Sequence, residues 1–394
     1  MANPFSNFNV TQNTTFLANV SMDCEASKSI ADDSGFPVLL ILELFVAFIA
    51  VFLNSVVLWI IPHVSVFHIN LRVILAYMSL NLLIYSAACG VKEMIMLHRI
   101  FHSAVPNFDC RLVSMAFECK LQELTNTIPI GNTVYASLVL VIERMYSTVR
   151  YRRYDQDHCG PWLALILLFL ASIPVLWSQL SGLFDISRLK SVPVCESLIS
   201  MSSKGAAQVL ALNLSAEILT IGMSLHLYFW NNYKLKAAAA NRAQHTLSSR
   251  FQISQNVQVN SMLLPSMLFQ SFCYLPNYLF LLIVIVGLPF SVATRTWLLH
   301  VNYLWKGAYA LAHPMLVLKR NVHIMEQLRK RSPIIVLRAF GLTGAGGKVI
   351  PVVMVTPASG RVVTNADMYF EVLDRMWEKE AEQRRPTAPA CHTT

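Results

Sequence analysis

Midway along the chain, Val141-Ile142-Glu143-Arg144-Met145-Tyr146-Ser147-Thr148 sets a carboxylate beside a guanidinium at the edge of a long apolar run. An arginine held by a neighbouring acid can leave that pair and turn toward a partner, which makes a two-state switch. A boundary ion pair with a snorkelling Arg144 accounts for the motif alone equally well. Two more ionisable residues, Glu217 and Lys306, lie deep in apolar sequence, where a charge must be paired, hydrated or in contact with a ligand. Paired with each other they form a structural lock; otherwise Lys306 offers a cation to an anionic ligand. His98 and His102 have the i, i+4 spacing of a metal pair on a helix, but no acid or cysteine accompanies them, so an incidental surface pair is favoured. The chain has no nucleotide-binding glycine loop, no Gly-x-Ser-x-Gly and no paired intramembrane aspartate motif. Neither an enzyme nor a cofactor is expected.

The elements that must position these groups are seven apolar stretches, Phe36 to Ile61, Leu71 to Leu97, Leu121 to Ser147, Trp162 to Leu183, Ala206 to Trp230, Met262 to Leu288 and Ala293 to Leu318. Each can span a bilayer, which takes about 20 mainly apolar residues. Composition agrees: 55% of residues are hydrophobic and 13% charged, against about 25% charged in soluble domains. The fold class is therefore an all-α membrane protein, a seven-transmembrane helix bundle. Stretch three is broken by Glu123, Asn126, Asn132 and Glu143, polar groups that belong on a cavity or a partner. Residues 1-35 read as a glycosylated extracellular tail, 36-318 as the bundle, 319-331 as a cytosolic amphipathic helix and 332-394 as a cytosolic tail. In that tail, Thr364-Asn365-Ala366-Asp367 resembles a capping box ahead of Phe370, Leu373 and Trp377.

Orientation rests on three signals. Asn9, Asn13 and Asn19 each open a glycosylation sequon, which places the head outside. Arg150, Arg152, Arg153, Lys234, Lys236, Arg242 and Arg250 crowd the connections on one side, with Lys319, Arg320 and Arg329 to Arg331 beyond stretch seven. The other side holds Lys28, Arg99, Arg111, Lys120, Arg188, Lys190 and Lys204. Cationic loops stay cytosolic, so the N-terminus is extracellular, the C-terminus is cytosolic, and much of the net charge of +9 reflects topology rather than nucleic acid. No cleaved signal peptide is expected, because no early apolar core precedes stretch one. Cys24, Cys110, Cys119 and Cys195 all fall on the expected outer side, where disulfides form. Four cysteines allow three pairings; Cys119 with Cys195 is favoured, leaving Cys24 and Cys110 as a second bridge. Cys89, Cys159, Cys273 and Cys391 are expected to be free.

Arg144 follows Cys119 by 25 residues, the offset rhodopsin-like receptors show between their outer cysteine and inner arginine. Asn54 and Asn81 also resemble polar interior positions of those receptors, but Ala312-His313-Pro314-Met315 lacks their usual span-seven motif. The chain is more similar to the nematode serpentine chemoreceptors of the Sra superfamily, Sra and Srab above Sre and Srb. That resemblance is carried by Phe67-His68-Ile69-Asn70-Leu71-Arg72, Glu143-Arg144, Leu247 to Asn256, His313-Pro314 and Met368 to Leu373 with Trp377.

The resemblance implies a G-protein-coupled-type receptor in the plasma membrane, in sensory neuron cilia, that binds an external small-molecule cue and signals through a heterotrimeric G protein. Glu143 and Arg144 would be its coupling switch. The pocket is expected in the outer half of the bundle, with Asn126, Glu217, Tyr274, Asn277, His300 and Lys306 as ligand-binding candidates and Gln122, Asn213, Gln270 and Asn302 beside them. For most of these an interhelical hydrogen bond is the plainer role. A seven-span channel or transporter is the rival reading; the odd span count and the lack of repeated halves stand against it.

Overall fold

The computed structural model describes residues 24–25, 27–64, 67–102, 114–150, 161–184, 191–192, 203–240, 247–288 and 290–320. The glycosylation sequons at Asn9, Asn13 and Asn19, the cysteines Cys110, Cys159, Cys195 and Cys391, and the expected surface helix and tail beyond Arg320 lie outside those residues.

Seven long helices make the described chain: α1 (Gly35–Ile60), α2 (Ile69–His102), α3 (Ala116–Val149), α4 (Trp162–Phe184), α5 (Ser203–Ala240), α6 (Leu247–Val286) and α7 (Val292–Arg320). Each apolar stretch read from the sequence lies on one of them. Helix α6 begins fifteen residues before the expected Met262, and α5 runs on through Lys234-Leu235-Lys236 to Ala240. Alanine, lysine and leucine are strong helix formers, so a helix need not stop where its apolar run stops.

Six of the seven helices are long and apolar enough to cross a membrane. Helix α7, at 29 residues, is excluded by composition and not by length. Its His300, Asn302, Lys306 and His313 lower its hydropathy, yet all four side chains are buried in the bundle. Outward faces carry the reverse pattern, with Phe45, Phe48, Phe169 and Trp177 largely exposed. Such a surface suits lipid, which offers apolar side chains a solvent and backbone polar groups none.

Helix α1 packs on α2 and α7, α6 packs on α5 and α7, and α3 lies among α2, α4, α5 and α6. That central helix carries a polar stripe at helical spacing, with Glu123, Asn126, Thr133, Ser137, Arg144 and Ser147 all buried. Asn54 ties α1 to α7, its Nδ2 donating to the Ala310 carbonyl at 2.9 Å. Gly131 lets α3 and α4 approach, since a Cβ there would lie 2.8 Å from Val175 Cγ1. Helix α6 ends where Gly287 takes a φ of 70°, the left-handed position that glycine adopts without strain. Ser291 then caps α7, its Oγ accepting from the Thr294 amide at 3.1 Å. At the same end of the bundle as Gly35, hereafter the near end, Asp33 accepts from the Trp297 indole at 2.9 Å. Ser114 and Met115 pair antiparallel with Val192 and Ser191 across that end. The far end holds Val149, Ala240 and Leu247.

Candidate functional site

Four helices converge on a buried charged layer in the near half of the bundle. Lys92 of α2 donates to Glu123 of α3 at 3.1 Å, and the Tyr303 hydroxyl of α7 donates to the same carboxylate at 3.2 Å. The Lys92 ammonium also lies 4.2 Å from the centre of the Tyr303 ring, with Lys306 at 5.4 Å. Next to this group, His300 Nδ1 of α7 sits 3.0 Å from a carboxylate oxygen of Glu43 of α1. Away from water each charge is costly unless matched, and here acids and bases from different helices meet in one layer.

A hydrogen-bonded chain crosses the middle of the bundle. Gln270 of α6 donates to Glu217 of α5 at 2.8 Å, and Ser271 donates to the other carboxylate oxygen. The Gln270 carbonyl accepts from Ser137 of α3 at 2.7 Å and from Tyr309 of α7 at 2.8 Å. His313 Nδ1 continues the chain, 2.9 Å from the Ser266 hydroxyl. Glu217 is thus held by α6 amide and hydroxyl groups and not by Lys306, so the lock those two residues would form is absent. Tyr274 packs its ring 5.6 Å from that of Tyr309. Asn302 donates to Asn277 at 3.0 Å.

A cavity of about 60 Å³ opens between α3, α4, α5, α6 and α7, bordered by Thr127, Gln179, Asn213, Asn277 and Lys306. A water needs about 10–15 Å³ on this measure, so the space holds a few waters, and a larger guest must part the helices. Of the candidates read from sequence, Asn277 and Lys306 line this cavity. Glu217 belongs to the hydrogen-bonded chain, Tyr274 packs its ring on that chain's Tyr309, His300 belongs to the charged layer, and Asn126 is buried on α3. Glu43, Lys92 and Glu93 are not among the sequence candidates, although each is an ionisable residue inside an apolar stretch, the signal that marks Glu217 and Lys306. Lys120 counts in the sequence among the cations of the outer connections. Helix α3 starts earlier than expected, so Lys120 is buried and donates to Gln179 at 3.3 Å.

At the far end of α3, Arg144 makes a two-pronged ion pair with Glu143, and both side chains are buried. The next turn of α3 reaches two other helices: Ser147 donates to Asn256 of α6 at 3.4 Å, and Asn231 of α5 donates to Thr148 at 3.3 Å. Lys234 of α5 donates to the Thr148 carbonyl at 3.3 Å. The turn that follows Arg144 is thus bonded to both α5 and α6.

Residues 21–332 match the model of the family described as serpentine type 7TM GPCR receptor class ab chemoreceptor. The chain belongs to that family. It is 22% identical over 341 residues to serpentine receptor class alpha/beta-14 of Caenorhabditis elegans, an alignment covering 79% of this chain and 81% of the relative. Membership makes this a multi-pass serpentine receptor, with the seventh span supplied by α7 despite its polarity.

Two cysteines of this receptor, Cys24 and Cys119, are disulfide-bonded, whereas Cys89 and Cys273 are free, as expected. The pairing of Cys119 with Cys195 stays a proposal. It is favoured by the two-stranded ladder, because Ser114 opposite Val192 brings the start of α3 beside the segment leading to Cys195. Cys119→Ser is expected to cost about 2–5 kcal/mol and to lower surface delivery severalfold, read by flow cytometry of a tagged receptor. Delivery equal to the parent would show that the bridge is dispensable.

Proposed function

We propose that this serpentine receptor detects an external small-molecule cue at the near end of the bundle and signals through a heterotrimeric G protein at the far end. In this reading the near end is extracellular, with Asn9, Asn13 and Asn19 glycosylated, and residues beyond α7 are cytosolic. Cationic side chains at the far ends of α3 and α5, Arg150, Lys234 and Lys236, agree with that orientation.

The observation that carries the reading is the buried Glu143–Arg144 pair, one turn before side chains that engage α5 and α6. A pair shielded in one arrangement and released in another is a bistable element that a cue can bias. The cue site is the cavity bordered by Asn213, Asn277 and Lys306, with Thr127 and Gln179 completing its polar wall. Asn126, Glu217, Tyr274 and His300 are not among the residues that line it. The hydrogen-bonded chain from Glu217 through Gln270, with Ser137, and Tyr309 to His313 lies between cavity and switch and ties α3, α5, α6 and α7 together there. Sensory cilia are the expected site of action.

The test is expression in cultured cells with an epitope at Met1, screened against small carboxylates, amines, alcohols and ketones with a second-messenger reporter. The epitope should be reached without permeabilisation. At least one compound class should raise the reporter signal, and GDPβS should remove the response. A cue-evoked current that survives GDPβS would replace the receptor reading with a channel.

A further inference from the structure

We propose that Glu43, Glu93 and His300 bind a divalent transition-metal ion, zinc by preference, between α1, α2 and α7. All three side chains are buried, and one ligand atom from each lies within 4.8 Å of the other two. His300 Nδ1 is 3.0 Å from a Glu43 oxygen and 4.0 Å from a Glu93 oxygen. A tetrahedral zinc with bonds of about 2.0–2.1 Å keeps its ligands roughly 3.4 Å apart, between those two spacings. Seating an ion thus asks only for small side-chain adjustments. The donor set narrows the metal to the transition series, because imidazole suits zinc, copper and nickel, whereas calcium and magnesium prefer oxygen shells.

A second feature stands beside the triad. Glu43 also borders a small separate cavity with Ser86, Cys89 and Tyr303. The Ser86 hydroxyl, 2% exposed, lines that cavity and makes no hydrogen bond among the described residues. A buried hydroxyl left in this state is unfavourable unless something polar enters the space. On α2, Ser86, Cys89 and Glu93 recur at steps of three and four residues, so one face of the helix presents hydroxyl, thiol and carboxylate together. Three protein ligands leave the fourth position of a tetrahedral zinc to water. Two carboxylates in a low-dielectric interior gain most from a divalent partner, and such an ion would fasten α1 to α2 and α7 beside the cue cavity.

Metal content is read directly, so the test does not depend on signalling. Full-length protein carrying a histidine-free affinity tag, in lipid nanodiscs, is stripped with chelator, dialysed against zinc chloride and assayed by elemental mass spectrometry. A single retained zinc is expected, together with a Tm raised by roughly 5 °C at zinc a hundredfold above Kd. Magnesium chloride at the same concentration should not raise it. Glu43→Gln and His300→Gln should each weaken zinc binding at least tenfold. Should neither variant fold, X-ray absorption of the zinc-loaded parent must show one imidazole with carboxylate oxygens. Absence of retained zinc, zinc retained undiminished by both variants, or a shell without imidazole would overturn the proposal.

Discussion

Arg144→Ala is expected to cut cue-evoked output by about 5–150-fold, the range of a coupling energy of 1–3 kcal/mol, while the Met1 epitope still reaches the cell surface. Glu143→Gln is expected to do the opposite and raise the basal signal, because it loosens the hold on the Arg144 guanidinium without removing it. The opposite signs separate the two accounts of the motif. A boundary ion pair that only anchors α3 would lose stability in both variants and gain activity in neither. The buried setting sharpens the contrast, since Glu143 and Arg144 sit one turn from the Ser147–Asn256 and Thr148–Asn231 bonds to α6 and α5. Equal losses of surface receptor and signal in both variants would discard the switch.

Lys92→Met is expected to destabilise the receptor by about 3–5 kcal/mol, the usual consequence of removing one member of a buried pair. Glu123 would lose the ammonium 3.1 Å away while remaining in a layer closed off from water. Glu123→Gln should do comparable damage alone. The double variant Lys92→Met/Glu123→Gln is expected to recover much of the loss, because neither member of the pair then remains as a buried charge without the other. Thermal unfolding of the four proteins in detergent gives the double-mutant cycle. Strictly additive losses would mean that Lys92 and Glu123 act separately and that the charged layer is not one unit.

The fold was legible because the bilayer imposes its own grammar: an apolar run of about 20 residues has few fates other than a spanning helix. The ends of α6 were less legible, because Leu247 to Asn260 is helix without being apolar. Site residues were read unevenly. Glu217, His300 and Lys306 stood out as polar groups in apolar runs, and Asn277 and Lys306 do line the cavity. Glu43, Lys92 and Glu93 carried the same signal and were passed over, since a single ionisable residue in a long span does not announce what it faces. Lys120 was misplaced because hydropathy marks where a membrane run starts, whereas the helix starts wherever backbone hydrogen bonding does.

By itself the sequence determined the solvent, the number of helices and which residues would be expensive to bury, because those follow from the transfer cost of each side chain and the period of a helix. Only the tertiary structure decided who meets whom. Glu217 goes to Gln270 and Ser271 and not to Lys306, Lys92 finds Glu123, and Glu43 finds His300, pairings made between helices as distant in sequence as α1 and α7. Their rotation and depth are fixed by packing, by close approaches such as Gly131 on Val175, and by the polar stripe of α3 at the centre. Periodicity along one chain cannot supply that information, because it constrains each helix separately and leaves the match between their faces open.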